Sequence, residues 1–280
     1  MRRLDRLGWA AGIAFSNYGV RIGVRTNDPA LWPHLAGRLP PGAAESASPV
    51  VDVLYSVILG TSSGTTRRYH MVYDGISQLA RTLDLAEAVD ALESSLHLTV
   101  ASHAENVLFV HAGAVTWAGR AILIPGRSMS GKSTLVSALL EAGARYYSDE
   151  YAVLDRHGRV LPYPRAIHVR GGENGGRRVR VPVLDPPEHR AVPVGLIAVT
   201  RFRAGAVWRP QTLAPAEALL ALLSNTVQPR SQPRDALAVL RRVVTARAVK
   251  SERGDARDVA RALLDEVESC RAPRARAASL

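Results

Sequence analysis

Residues Gly126-Arg127-Ser128-Met129-Ser130-Gly131-Lys132-Ser133 form a complete G-x-x-x-x-G-K-[ST] sequence. The apolar run Ala121-Ile122-Leu123-Ile124-Pro125 leads into it, and Thr134-Leu135-Val136-Ser137-Ala138-Leu139-Leu140 follows at helical spacing. Strand, glycine-rich loop and helix is the setting this motif requires. Glycines let backbone N–H groups curl around phosphate oxygens, and the new helix presents its positive end to the same charge. The expected ligand is a nucleoside triphosphate, ATP or GTP, held by Gly126, Arg127, Ser128, Met129, Ser130, Gly131, Lys132, Ser133 and Thr134. Lys132 reaches the β- and γ-phosphates, and the Ser133 hydroxyl ligates Mg²⁺. The chain has 34 arginines but only two lysines, Lys132 and Lys250, so a lysine at this position is not a generic surface cation.

Around that motif the chain alternates short apolar runs with turn signals. Residues 13–24 predict two strands about Asn17-Tyr18-Gly19, and 50–59 predicts a strand followed by a Gly/Ser/Thr loop at 60–66. A helix is expected over 84–102, with Leu85, Val89, Leu92, Leu96 and Val100 on one face. A hairpin turn at Trp117-Ala118-Gly119 separates the run 107–115 from the strand entering the loop. After the loop helix, 145–154 and 160–163 predict an antiparallel hairpin instead of a second crossover helix. A buried strand is expected at 194–200. The last 70 residues predict helices over 214–223, 234–244 and 253–270. These readings give an α/β core within an α+β chain, divided into an N-terminal α+β domain (1–102), a loop-bearing core (103–205), a helical region (206–270) and a basic tail (271–280).

Three features narrow the chemistry. Asp149 and Glu150 follow Lys132 by 17 and 18 positions, near a predicted strand end. Adjacent carboxylates on a strand face opposite ways, so one serves as base for an acceptor hydroxyl and the other, Glu150, joins Ser133 at the metal. His111 ends an apolar run two strands before the loop, where its imidazole can meet the base or a phosphate. The strand at 194–200 ends in Thr200 and Arg201 and carries no second acidic motif, and no Asn-Lys-x-Asp guanine signature occurs. GTPase and ABC-type readings therefore lose their second motif.

His111-Ala112-Gly113, the loop from Gly126 to Ser133 and Asp149-Glu150 together resemble the HPr kinase/phosphorylase family, over roughly residues 105–175, a quarter of the chain. The resemblance implies an HPr-kinase-like P-loop core, phosphorylation of a serine on a peptide or small protein, Asp149 as general base, Lys132 on the phosphates, Ser133 on Mg²⁺, and His111 as neighbour. It also implies an oligomer. Two departures stand out. The family's second aspartate is Glu150 here. Its Glu-x-Arg-Gly stretch is His168-Val169-Arg170-Gly171, whose missing carboxylate leaves Glu150 or Glu173 to substitute and puts the reverse reaction in doubt. In size and layout the chain is similar to tailoring kinases of ribosomal peptide pathways. The glycine-rich stretch 171–176, followed by arginines, predicts a mobile loop. Arg127 and Arg170 are candidates for neutralising charge on the transferring group.

Net charge is +11, and residues 165–280 hold 21 Arg plus Lys against 11 Asp plus Glu. A basic half can attract nucleic acid, an acidic peptide or nucleotide phosphates, but no aromatics interleave with the basic residues as a single-strand binder requires. A nucleotide-sensing module without phosphoryl transfer and a small-molecule kinase are the alternatives to a peptide kinase. One cysteine, Cys270, excludes an intramolecular disulfide, and no run approaches a membrane span; a cytoplasmic location is the expectation.

Overall fold

In the computed structural model, residues 4–60, 68–126, 130–165, 167–170, 178–181, 190–228 and 233–269 are described. They form two compact units, Met1–Glu105 and Asn106–Leu280.

In the first unit, Tyr18 (φ 47°) and Gly19 (φ 85°) take the left-handed backbone that lets a two-residue turn join twisted strands. They connect β1 (Ala11–Asn17) to β2 (Val20–Thr26). A short helix α1 (Trp32–Leu35), β3 (Ala44–Glu45), β4 (Val53–Ile58), β5 (His70–Asp74) and β6 (Ser77–Thr82) follow. The sheet order is β3-β1-β2-β4-β5-β6, antiparallel except between β2 and β4. Asp84 caps the helix α2 (Leu85–His103) by accepting from the Ala86 N–H. Val89, Leu92, Leu96 and Val100 of α2 are buried, and Tyr55 on β4 bonds Ser95 and Thr99 of the same helix.

The second unit starts with the long strand β7 (Val107–Trp117), which turns through Ala118 and Gly119 into β8 (Arg120–Pro125). Then come α3 (Lys132–Glu141), β9 (Arg145–Ser148), β10 (Tyr151–Asp155), β11 (Arg159–Leu161), β12 (Ile167–Arg170) and β13 (Arg178–Val181). The chain continues through β14 (Val192–Phe202), β15 (Gln211–Thr212), α4 (Pro215–Leu223), α5 (Pro233–Val243), β16 (Arg247–Arg253) and α6 (Ala256–Ser269). The main sheet runs β11-β10-β7-β8-β14-β16-β15, with β9 also on β7; β11 pairs the start of β14 as well, closing five strands into a ring. β8, β14 and β16 are parallel, and the pairs of β7 with β8, β9 and β10 are antiparallel. The second unit thus has an antiparallel hairpin, β10–β11, after α3.

Two hydrophobic clusters flank this sheet. Leu135, Val136 and Leu139 of α3 pack with Val259, Leu263 and Leu264 of α6 against Ile122 and Ile124. Leu222 of α4 and Leu240 of α5 pack with Leu123 and Ile197 in the other cluster. Each fully buried leucine contributes about 1.5–3 kcal/mol, so Leu135 and Leu139 alone anchor the loop helix firmly. The chain is α+β, with two mixed sheets and six helices among the described residues. No described helix is long and apolar enough to cross a membrane.

Two expectations change. The last 70 residues are not all helical: Arg247–Arg253 is the strand β16, between β14 and β15, and α6 starts only at Ala256. Asp149 and Glu150 do not extend a strand; they form the bend between β9 and β10, where the Ser148 hydroxyl accepts from the Tyr151 N–H. Residues 61–66, 171–176, 229–232 and 271–280, together with Cys270, lie outside the described residues.

Candidate functional site

β7, β8 and α3 place the loop. The Gly126 N–H donates to the His111 carbonyl (3.2 Å), so the loop leaves β8 while still tied to β7. The Gly126 carbonyl accepts from Lys132 Nζ at 2.7 Å and meets His111 Nδ1 at 2.8 Å. A carbonyl only accepts, so His111 carries its proton on Nδ1 and Nε2 is left as the ring's acceptor. Gly131, at φ 84°, is the N-cap of α3, and no side chain caps that helix. An α-helix leaves its first N–H groups without i−4 carbonyls inside the helix, a positive end suited to an anion. Ser130 Oγ is buried and makes no hydrogen bond. Arg127, Ser128 and Met129 lie outside the described residues, as does the Arg170 side chain.

Lys132 is 7 % exposed. Burial pushes its ammonium down to about 8, against the opposing pull of Glu150 and Asp149. His111 is held below its ordinary value by burial and then by the Lys132 charge. The Lys132 ammonium, the Ser130 hydroxyl and the start of α3 lie together after β8, and phosphate oxygens would suit each of them. The residues present therefore fit a triphosphate.

One residue further along α3, Ser133 Oγ donates to Asp149 Oδ2 at 3.0 Å. Tyr146 Oη lies 2.9 Å from Asp149 Oδ1 and 2.9 Å from the Arg165 carbonyl. The phenol has one proton for these two acceptors. Shared between them, that proton ties the Asp149 carboxylate to the backbone at Arg165. Burial raises the Asp149 carboxyl above its ordinary value, against the lowering by Tyr146 and Ser133, and drives the Tyr146 phenol well above its own. Glu150 pairs with the buried guanidinium of Arg165 and, ahead of Asp149, attracts the Lys132 ammonium. The carboxylate that meets Ser133 is thus Asp149, while Glu150 is engaged by Arg165.

Among the described residues no group of three or more His, Cys, Asp or Glu side chains is arranged to hold a metal ion by itself. Magnesium needs fewer, since it keeps waters and takes one or two protein oxygens beside substrate phosphates. Ser133 Oγ and the adjoining Asp149 carboxylate suit that demand.

Three contributors have no local signal in the sequence. Tyr146 and Arg165 hold Asp149 and Glu150 in place. Arg253, at the end of β16 and 1 % exposed, donates Nη2 to the Gly131 carbonyl at 2.7 Å from 122 positions away. Asp155, by contrast, is structural: it accepts from the His157 and Arg159 N–H groups and pairs with Arg159, which shapes the β10–β11 turn.

No protein-family model matches this chain, and no curated protein matches its sequence.

Proposed function

We propose that this protein is an ATP- and magnesium-dependent kinase, on an HPr-kinase-like core, that phosphorylates a serine or threonine hydroxyl of a peptide or small protein. The observation that carries the reading is the buried Asp149 carboxyl against Ser133, at the head of the loop helix and next to Lys132. A pure nucleotide sensor has no use for a buried base in that place.

In this reading the α3 amides, Ser130 Oγ and Lys132 bind the triphosphate, and Ser133 Oγ holds magnesium. Magnesium held there would supply positive charge against the triphosphate. Asp149, whose affinity for a proton is raised by burial, takes the proton of the acceptor hydroxyl as that oxygen attacks the γ-phosphorus. The bond to the β–γ bridging oxygen breaks and ADP leaves, with the proton on Asp149. Tyr146 fixes the orientation of the carboxyl, and His111 holds the Gly126 end of the loop. Glu150 keeps Arg165 charge-paired beneath the site.

The test is transfer of label from γ-labelled ATP into a size-fractionated lysate of the source cells, with Asp149→Asn alongside. Label in a peptide or protein fraction, absent with the variant, supports the reading. Label in small metabolites makes the acceptor a small molecule. Magnesium–ATP binding without any transfer overturns the kinase in favour of a nucleotide-sensing module.

A further inference from the structure

The first turn of α3 sends successive side chains in different directions. Lys132 folds back to Gly126, Ser133 meets Asp149, and Thr134 borders a separate cavity of about 440 Å³. Gly131, Thr134, Ser137 and Ala138 make one wall of that cavity. Phe202 at the end of β14 and Asp255-Ala256-Arg257 at the start of α6 line it from other elements, and Arg253 contributes its guanidinium. Its volume lies within the range of about 300–1,000 Å³ typical of small-molecule sites.

Three features of the cavity point to a ligand. Phe202 is an aromatic left 55 % exposed beside it, with its ring 5.8 Å from the Arg253 guanidinium carbon. An exposed ring next to a cation is a stacking platform for a planar base. Arg253 is buried; its guanidinium hydrogen-bonds the Gly131 and Gly254 carbonyls, makes no ion pair within 4.0 Å among the described residues although Asp255 attracts it, and leaves Nε without a hydrogen bond. A buried guanidinium bonded only to carbonyls gains from an approaching phosphate oxygen. At the outer end, Arg257 pairs with Glu141 at 3.0 Å, and Asp255 is exposed at the rim, where a carboxylate can accept from ribose hydroxyls.

We propose that this cavity receives the nucleoside of the bound nucleotide, with the base on Phe202, the ribose toward Asp255, and the chain of phosphates passing Thr134 and Arg253 to reach Lys132 and Ser133. The proposal rests on the nucleotide reading of the loop. The γ-phosphate then lies on the Asp149 side of α3 and the base on the other side, so the acceptor approaches from the side away from Phe202.

The experiment compares magnesium–ATP with magnesium–tripolyphosphate, which has the phosphates but no nucleoside, by calorimetric titration of the full chain. Phe202→Ala is expected to weaken ATP about five- to tenfold, the lower part of the range for loss of one base–aromatic stack, and to leave tripolyphosphate unchanged. Ser137→Phe, which fills the cavity from the α3 wall, is expected to do the same and guards against an indirect effect of the first change. Unchanged ATP affinity in both variants, or equal loss of both ligands, overturns the nucleoside site while leaving the phosphate loop standing. Failure of the unaltered chain to bind either ligand overturns the nucleotide reading and this inference with it.

Discussion

Ser133 Oγ donates a 3.0 Å hydrogen bond to Asp149 Oδ2, so the second residue of the loop helix and the bend after β9 form one unit. Sixteen positions separate them in sequence. The contact exists because β9 and β8 both pair with β7, on its two edges, which carries the end of each strand to the head of α3. Any group bound to Ser133 is therefore within reach of a carboxyl whose proton affinity is raised by burial.

Asp149→Asn keeps the side chain's shape and removes its basicity. Phosphoryl transfer should fall by about 10²–10⁴-fold, the usual contribution of a positioned base, while nucleotide affinity stays largely intact. The stability profile supplies an independent readout. Burial raises the Asp149 pKa above the 3.8 of the free side chain, so the unfolded chain releases this proton first and folded stability declines as pH rises past that value. The asparagine variant lacks this term. Its urea midpoint relative to the unaltered chain should therefore improve from pH 4 to pH 7.

Lys132 gives the opposite linkage. Its ammonium is depressed from 10.5 to about 8, so between those values the unfolded chain holds a proton that the folded chain has released. Stability without ligand should gain from this group as pH rises through that window. A bound triphosphate favours the charged form and restores the proton. Calorimetry of ATP binding in buffers of different ionisation enthalpy should show proton uptake above about pH 8 and little below it. Lys132→Ala should abolish the uptake and weaken binding and transfer together.

The parts of the fold legible in the sequence are those set by local chemistry. The turns at Tyr18-Gly19 and Ala118-Gly119 have the left-handed backbone their sequences suggest, and α2 buries the face that its apolar spacing marks. The strand β16 was not legible. Its sequence Arg-Ala-Val-Lys-Ser-Glu-Arg has only Ala248 and Val249 to bury as apolar residues, and it is a strand because β14 and β15 supply its hydrogen bonds. With β16 unseen, Arg253 could not be placed beneath Gly131. The acidic pair was visible, but its division of labour was not. A bend, together with Tyr146 and Arg165, brings Asp149 to Ser133 and Glu150 to Arg165, and no short sequence window records those partners.

Gly113 tests why a glycine follows His111-Ala112. A Cβ there would stand 2.7 Å from Val136 Cγ2, because α3 crosses β7 closely at this point. Val136 is fully buried and cannot swing into solvent. Gly113→Ala should cost about 1–3 kcal/mol of stability through overpacking, read from urea unfolding. The same displacement lifts the head of α3, so ATP affinity should weaken while the pH dependence of binding is retained. Pairing the change with Val136→Ala should recover much of the ATP affinity.

Glu150→Gln separates a structural carboxylate from a metal ligand. The Arg165 side chain is 4 % exposed and that of Glu150 is 40 % exposed, so their ion pair is only partly desolvated. Removing one member of a fully buried pair costs about 3–5 kcal/mol, and an exposed pair is worth under about 1 kcal/mol; the glutamine variant should lose roughly 1–2 kcal/mol. If Glu150 serves Arg165 alone, transfer measured under folded conditions should stay within a few-fold of normal, and the magnesium concentration giving half-maximal rate should not move. A metal ligand gives the other pattern: stability nearly unchanged, and a magnesium requirement shifted upward by an order of magnitude or more. Arg165→Met should reproduce the stability loss and keep the backbone carbonyl that anchors Tyr146, but it removes the positive charge that lowers the Asp149 carboxyl. Its transfer rate should therefore fall further than that of the glutamine variant, and measuring both rates in one preparation decides which carboxylate works on the substrate.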